Sequence, residues 1–314
     1  MENQILKQTL KNHNSFDFPD YLKRVTAGNG GEAILIFTDD KTILHDCGMA
    51  YCHQGLVEKI EQELNERGRE GLDYILLSHS HYDHVGALPY VLKRWPNAIV
   101  YGGEKAKKVF QSEGARRTMK RLGEAARDAF APSDEEILTD GLRVDVSVED
   151  GTVIPVGAFD GQEGAVIAIS TPGHTDCSYS YLFLPTRTLF TSESTGIPRP
   201  FGDIHTSILK SYHNSIDSAV KCKGYHADEI IVPHYGLLPK ELAESYFDIY
   251  IEFAEMEKDL ILSLKKQGLT FEEILKAYEE HYWSEERGKG QPKEAFLENA
   301  RHIIRHILEV FENA

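Results

Sequence analysis

Apolar positions along this chain alternate with polar ones over short runs in its first two thirds, and recur three to four apart near its end. Glu32–Phe37 (EAILIF) and Thr42–His45 read as two short strands joined by the turn Thr38-Asp39-Asp40-Lys41. Gln54–Arg67 carries Leu56, Val57, Ile60 and Leu64 on one helical stripe, and Gly68 can close it. A strand at Tyr74–Leu77 comes next, then a polar loop, and then a helix over Leu88–Lys93 that must stop before Pro96. Ala98–Tyr101 predicts another strand, and Glu104–Phe130 a long helix broken at Gly114. From Leu142 the pattern turns to β. Strands are predicted at Leu142–Val148, Val153–Val156, Ala165–Ser170, Tyr179–Leu184 and Thr188–Thr191, with a last short one at Ile230–Val232.

Past Pro239 the spacing is helical, predicting helices at Leu242–Lys266, Phe271–Tyr282 and Glu294–Phe311, with a loop over Glu285–Pro292. Such a tail cannot bury its apolar faces alone and should dock on what precedes it. Strands and helices alternating, then a β-rich run, then strands and helices again indicate an α/β layered domain. The expected division is a domain over 1–238 and a helical extension over 239–314 docked on it.

Composition narrows the class. The chain has 314 residues, 41% hydrophobic and 27% charged, as in ordinary soluble globular proteins. Its formal net charge of −16 argues against a nucleic-acid partner. Lysine and arginine concentrate only over Lys105–Arg127, where acids intervene, so that stretch reads as a solvated helix surface. The start, MENQILKQTLKNHNSF, does not read as a secretory signal, and no apolar run approaches the ~20 residues that span a bilayer. Four cysteines (Cys47, Cys52, Cys177, Cys222) are too few and scattered for a disulfide framework. The expected setting is a reducing cytoplasm and the expected partner a small-molecule substrate, with no membrane; self-association is left open.

The chemistry concentrates in Ser78–Gly86, SHSHYDHVG, where three histidines and an aspartate fall within six residues just past a strand. Strand ends are where α/β sheets place their chemistry, because side chains there project from a rigid scaffold into a crevice. In extended chain His79 and His81 point to the same side, while Asp83 and His84 follow as the chain turns into a helix. Such a set suits two adjacent metal positions better than one. Three further candidates each lie just past a predicted strand: His174 in TPGHT, Glu193 in LFTSESTG and His234 in IVPHYG.

HSHYDH resembles the HxHxDH motif of the metallo-β-lactamase fold superfamily, and the resemblance extends over roughly Val25–Gly236. A strand ending in Asp46, the motif, the TPGHT histidine, the acid after LFT and a terminal strand with histidine occur in the family's order. It implies a four-layer αββα sandwich with metals between the upper edges of two sheets, followed here by the C-terminal helical extension. It further implies a first metal site of His79, His81 and His174, and a second of Asp83, His84 and His234. Glu193 falls where the family's bridging carboxylate is usually Asp, and it reaches one C–C bond, ~1.5 Å, further. Asp46 resembles the family's non-ligand aspartate, which holds a ligand histidine or the loop by hydrogen bonds.

Two divalent ions, zinc foremost with iron or manganese as alternatives, imply a hydrolase. Bound metal lowers the pKa of water to about 7, and Asp83 would orient that water and carry its proton. The substrate classes are a small ester, thioester, lactone or phosphodiester, similar to glyoxalase-II-like and lactonase-like members. The alternatives are a metal-binding signal-response protein of the same fold and a mononuclear iron dioxygenase. The flavodiiron branch has Glu where this chain has His81. His302 and His306, spaced i and i+4, read as helix-surface residues. Asp203, His205, Tyr212 and His213 could reach over the site but read as structural; Cys177 reads as a buried thiol and Tyr82 as packing.

Overall fold

A computed structural model describes residues 4–285 and 293–311, so all but the first residue of the loop expected over Glu285–Pro292 lies outside it. In chain order come α1 (Gln4–Asn12), β1 (Leu22–Arg24), β2 (Ile34–Phe37), β3 (Thr42–His45), α2 (His53–Glu66), β4 (Tyr74–Leu76), α3 (Tyr82–Val85), α4 (Leu88–Arg94) and β5 (Ile99–Gly103). Next are α5 (Glu104–Gln111), α6 (Glu113–Phe130), β6 (Val146–Val148), β7 (Val153–Phe159), β8 (Gln162–Ser170), β9 (Tyr179–Leu184) and β10 (Thr188–Phe190). The hairpin β11 (Ile197–Arg199) and β12 (Asp203–His205), then α7 (Tyr212–Gly224), β13 (Glu229–Val232), β14 (Gly236–Leu237), α8 (Lys240–Ala243), α9 (Tyr246–Lys266), α10 (Phe271–Tyr282) and α11 (Lys293–Phe311) follow.

Two six-stranded sheets result, one in the order β1-β2-β3-β4-β5-β6 and the other β14-β13-β10-β9-β8-β7. In the first sheet β3 to β6 run parallel; in the second only β10 and β13 do. β2 shows how the layers arise. Successive side chains of a strand face opposite ways, so Ile34 and Ile36 enter the core between the sheets while Leu35 and Phe37 enter the core under the helices. The inter-sheet core joins Ile43 and Leu76 of the first sheet to Val156, Tyr181, Phe183 and Phe190 of the second. Outside the first sheet, Leu56, Ile60 and Leu64 of α2 and Val91 of α4 cover Leu44, Ile75 and Val100. Outside the second, α1, α7 and the first half of α9 cover Ile169, Leu182, Leu189 and Ile230. The fold is the expected αββα sandwich.

Its C-terminal helices form a further cluster in which Ile261, Ile274, Tyr278, Ile303 and Ile307 pack with Ile208 and Tyr212 of the sandwich. Three local expectations differ. The long helix breaks at Ser112 rather than Gly114, because the Ser112 hydroxyl caps α6 by accepting from Ala115 N at 3.4 Å. Only Val146–Val148 of the strand predicted from Leu142 joins the ladder. Ahead of it the Arg143 guanidinium is engaged by the carbonyls of Pro96 and Ala98. And α1, β1, the β11–β12 hairpin, α7 and β14 lie outside the predicted elements; they are short or stabilised by distant contacts rather than by their own periodicity.

Candidate metal centre

The motif loop leaves β4 and bends into α3, a single helical turn tied to the segments that follow β3 and precede β2. Cys47 N donates to the His84 carbonyl at 2.7 Å and Gly31 N to the Asp83 carbonyl at 3.0 Å. Gly31 has no room for a Cβ, which would stand 2.8 Å from His84 Nδ1. Four segments then bring donor atoms together: the motif loop, His174 between β8 and β9, Glu193 in a 3-10 turn after β10, and His234 after β13. These atoms form two groups, His79–His81–His174 and Asp83–His84–Glu193–His234, each with its donors within 4.8 Å of one another. Every residue singled out by the sequence as a ligand is in one of them.

Asp46 lies beneath, 1% exposed and at a positive φ of 54°. One oxygen accepts from Ser78 N at 2.8 Å, and the other from the Ser78 hydroxyl at 2.6 Å and from His84 Nδ1 at 2.9 Å. The Ser78 hydroxyl, having donated to Asp46, can only accept from His79 Nδ1, 2.9 Å away. Backbone carbonyls do the same for the other two: Ser207 O takes His174 Nδ1 at 2.8 Å and Gly30 O takes His234 Nδ1 at 3.1 Å. With Nδ1 donating, the Nε2 atoms of these four imidazoles present lone pairs inward.

Those lone pairs meet further acceptors. Glu193 Oε1 stands 2.8 Å from His84 Nε2 and 3.2 Å from His234 Nε2, while Oε2 stands 3.5 Å from His174 Nε2. His174 Nε2 faces His81 Nδ1 at 2.9 Å. His79 Nε2 is buried with no hydrogen-bond partner and lies 3.7 Å from Glu193 Oε1. An imidazole lone pair facing a carboxylate oxygen at such distances needs a cation between them, proton or metal. Tetrahedral zinc with Zn–N of about 2.0–2.1 Å sets its ligand atoms ~3.3 Å apart, and the separations here bracket that value. The donor set therefore fits divalent metal.

Electrostatics point the same way. Burial disfavours charge on His84, but Asp83 nearby and the bonds to Asp46 and Glu193 outweigh it and raise its pKa well above the usual imidazole value. Burial would raise Glu193, yet His174 and the hydrogen bonds from His234 and His84 hold its carboxyl well below the usual range. His81 is pushed down to about 4 by burial and then by His174. The carboxylate attracts cations, and burial keeps the imidazoles of His79 and His81 neutral, as ligands must be.

The residues set aside from the centre resolve individually. Cys177 Sγ lies 3.3 Å from the hydroxyls of Ser80 and Thr175, outside both donor groups. Asp203 is engaged by Arg199 at 2.6 Å. Tyr212 packs edge-on to Phe311 at 5.2 Å, in the tail. His306 is more than a surface residue: its Nε2 accepts from Tyr212 N at 2.8 Å, whereas His302 faces Glu298 at 3.4 Å. Tyr82 lines a shallow cleft with Met119, Gly123 and Ile137 between α3 and α6. The sequence does not disclose Gly30, which acts through a carbonyl that any residue type carries, or Ser207, which acts through its carbonyl and its hydroxyl from a loop with no motif. Ser78 stands inside the motif, but nothing in its spacing reveals the relay to Asp46.

A two-sheet sandwich with paired histidine-rich donor groups at one edge defines a class of metal-site proteins, and the comparisons place the chain within it. The family profile of the metallo-beta-lactamase superfamily matches residues 27–234, and the chain belongs to that superfamily. The uncharacterized protein YobT of Bacillus subtilis is 24% identical over 160 residues, 51% of this chain and 60% of that one. The probable metallo-hydrolase YqgX of the same organism is 28% identical over 150 residues, 48% of this chain and 58% of that one. Both matches thus cover about six tenths of the relative's length. A metallo-beta-lactamase family protein from Thermus thermophilus has the same fold, with a TM-score of 0.61 at 14% identity over 94% of both chains.

Proposed function

We propose that the chain is a metal-dependent hydrolase holding two divalent ions, zinc foremost with iron or manganese as alternatives, and that it cleaves a small ester, thioester, lactone or phosphodiester. One observation carries the reading: seven side chains from four segments form two adjoining donor groups, with the Glu193 carboxylate facing both. His79, His81 and His174 would hold one ion, Asp83, His84 and His234 the other, and Glu193 would bridge. Bound there, the ions would supply a Lewis acid for the substrate oxygen and a water acidified to about pKa 7.

The protein's part is orientation and proton handling. Asp46, Ser78, Ser207 O and Gly30 O hold the imidazoles in the tautomer that leaves Nε2 free, so little reorganisation is needed on binding. Asp83 is the more open of the two carboxylates in the second group, with 18% of its side chain exposed against 7% for Glu193. That opening suits it to take the nucleophile's proton and deliver it to the leaving group. The cleft between α3 and α6 is proposed as the approach. A small-molecule rather than nucleic-acid substrate suits the acidic chain, and the four unpaired cysteines suit a cytoplasmic setting; the division at 238/239 is likewise proposed.

The test joins metal content to turnover. Reconstituted wild type should hold two ions and His234→Ala about one, and the loaded protein should turn over part of a panel of generic esters, thioesters, lactones and phosphodiesters. A wild type that never exceeds one ion rules out the dinuclear reading. Metal binding without turnover on any panel member favours a binding protein instead.

A further inference from the structure

Glu257 sits on the face of α9 that carries Ala254 and Ile261 into the tail core, and it is 3% exposed. Burial pushes its pKa up, and the hydroxyls of Thr206 and Tyr278 only partly offset this. A well-packed apolar residue of similar volume is often the more stable choice for such a place, so a carboxylate there needs a reason. Each oxygen takes one hydroxyl: Oε1 from Tyr278 of α10 at 2.6 Å, Oε2 from Thr206. The Thr206 carbonyl in turn accepts from the Tyr250 hydroxyl at 3.5 Å.

Thr206 is joined to Ser207, which is held at a positive φ of 55°. The Ser207 carbonyl accepts from His174 Nδ1 at 2.8 Å, and its hydroxyl donates to Glu193 Oε2 at 3.0 Å. One residue thus touches both a first-group histidine and the second-group carboxylate that faces it. The strained backbone that aims it must be held by its surroundings, and the hold on its neighbour comes from α9 and α10. Both helices lie beyond residue 234, where the family match ends.

We infer that Glu257 is a positioning residue for the metal centre: with Tyr278 it clamps Thr206–Ser207, so that the helical tail sets the orientation of His174 and Glu193. The inference rests on the metal-centre reading above and adds to it a contribution from outside the matched span. Groups that orient a ligand are worth roughly 10–100-fold in metal affinity, and an indirect clamp belongs at the low end.

The test uses the full-length protein with Thr206→Val, Tyr278→Phe, Glu257→Leu and Glu257→Gln. Cobalt(II) affinity and the cobalt absorption bands are measured for each, beside circular dichroism and thermal unfolding of the metal-free protein. Thr206→Val and Glu257→Leu should weaken one ion's binding about tenfold and shift its bands, and Tyr278→Phe should do the same to a smaller degree. Glu257→Gln, which keeps the shape and an acceptor oxygen, should restore most of the wild-type behaviour. Thr206→Val guards against a Leu variant that fails to fold. Folded Thr206→Val whose affinity stays within about twofold of wild type, with unchanged bands, overturns the clamp while leaving the metal centre standing. A wild type that takes up neither cobalt nor zinc overturns the metal-centre reading and the clamp together.

Discussion

Glutamate at position 193 faces both donor groups: Oε1 lies 2.8 Å from His84 Nε2 and 3.7 Å from His79 Nε2, and Oε2 lies 3.5 Å from His174 Nε2. The extra methylene relative to aspartate is accommodated by the 3-10 turn Glu193–Thr195, whose N-cap Ser192 accepts from Ser194 N. A bridging carboxylate offsets the repulsion between two cations, so removing its charge should cost more than a neutral contact would. Glu193→Gln should release metal mainly from the group of Asp83, His84 and His234. Glu193→Asp should be milder, because charge is kept while reach is lost. Metal analysis of the three proteins after identical reconstitution checks this; a Gln variant that keeps both ions and full turnover removes Glu193 from the ligand set. At this scale the donor residues that gather in the centre were legible, because imidazoles crowded at a strand end have few other uses. Of their orienting partners Asp46 was legible too, and it meets His84 Nδ1; Gly30, which offers only a main-chain oxygen, and Ser207, far along the chain, were not.

Among the elements, one of the shortest helices holds two of the proposed ligands. α3 is one turn long and cannot stabilise itself, yet it holds Asp83 and His84 in place. Gly86, just past it, lets the chain pass so close to its neighbours that an added Cβ would lie 2.4 Å from Tyr82 O and 2.6 Å from Ala50 N. Both are backbone atoms and cannot swing aside. Gly86→Ala should therefore destabilise by about 2–3 kcal/mol, as overpacking does. Gly224→Ala, where nothing lies within 4 Å, should be neutral or gain up to ~1 kcal/mol. Chemical denaturation of both variants decides it, and equal midpoints would refute the close approach. Periodicity revealed long amphipathic helices such as α2 and α9. It missed α7 and the β11–β12 hairpin, where the hairpin's three-residue strands are too short to show a period.

Over the whole molecule the tail is part of the packing. Tyr246, Phe247, Tyr250 and Phe253 of α9 cover the outer face of the second sheet against Ile169, Leu182, Leu189 and Ile230. Each large apolar side chain is worth ~1.5–3 kcal/mol when buried, and four together rival the ~5–15 kcal/mol that hold a whole domain folded. Deleting residues 239–314 should leave a protein that aggregates or lacks cooperative unfolding. A truncated chain that is soluble, with an unchanged denaturation midpoint, would show that the sheet does not need its cover.

Most strand and helix character and the residues that supply the donor atoms were legible in the sequence itself, and the αββα layering followed from the motif's resemblance to the superfamily. The elements and the donors rest on local facts: side-chain period, turn residues, and donor-bearing residues placed where strands end. What only the tertiary structure decided is which atoms those donors face. The pairing of Glu193 with both groups, and the path from Tyr278 through Glu257 and Thr206 to Ser207, join residues from 14 to 109 positions apart. Contacts of that kind leave no period in the sequence, because they exist only once two sheets and two helical layers have closed on one another.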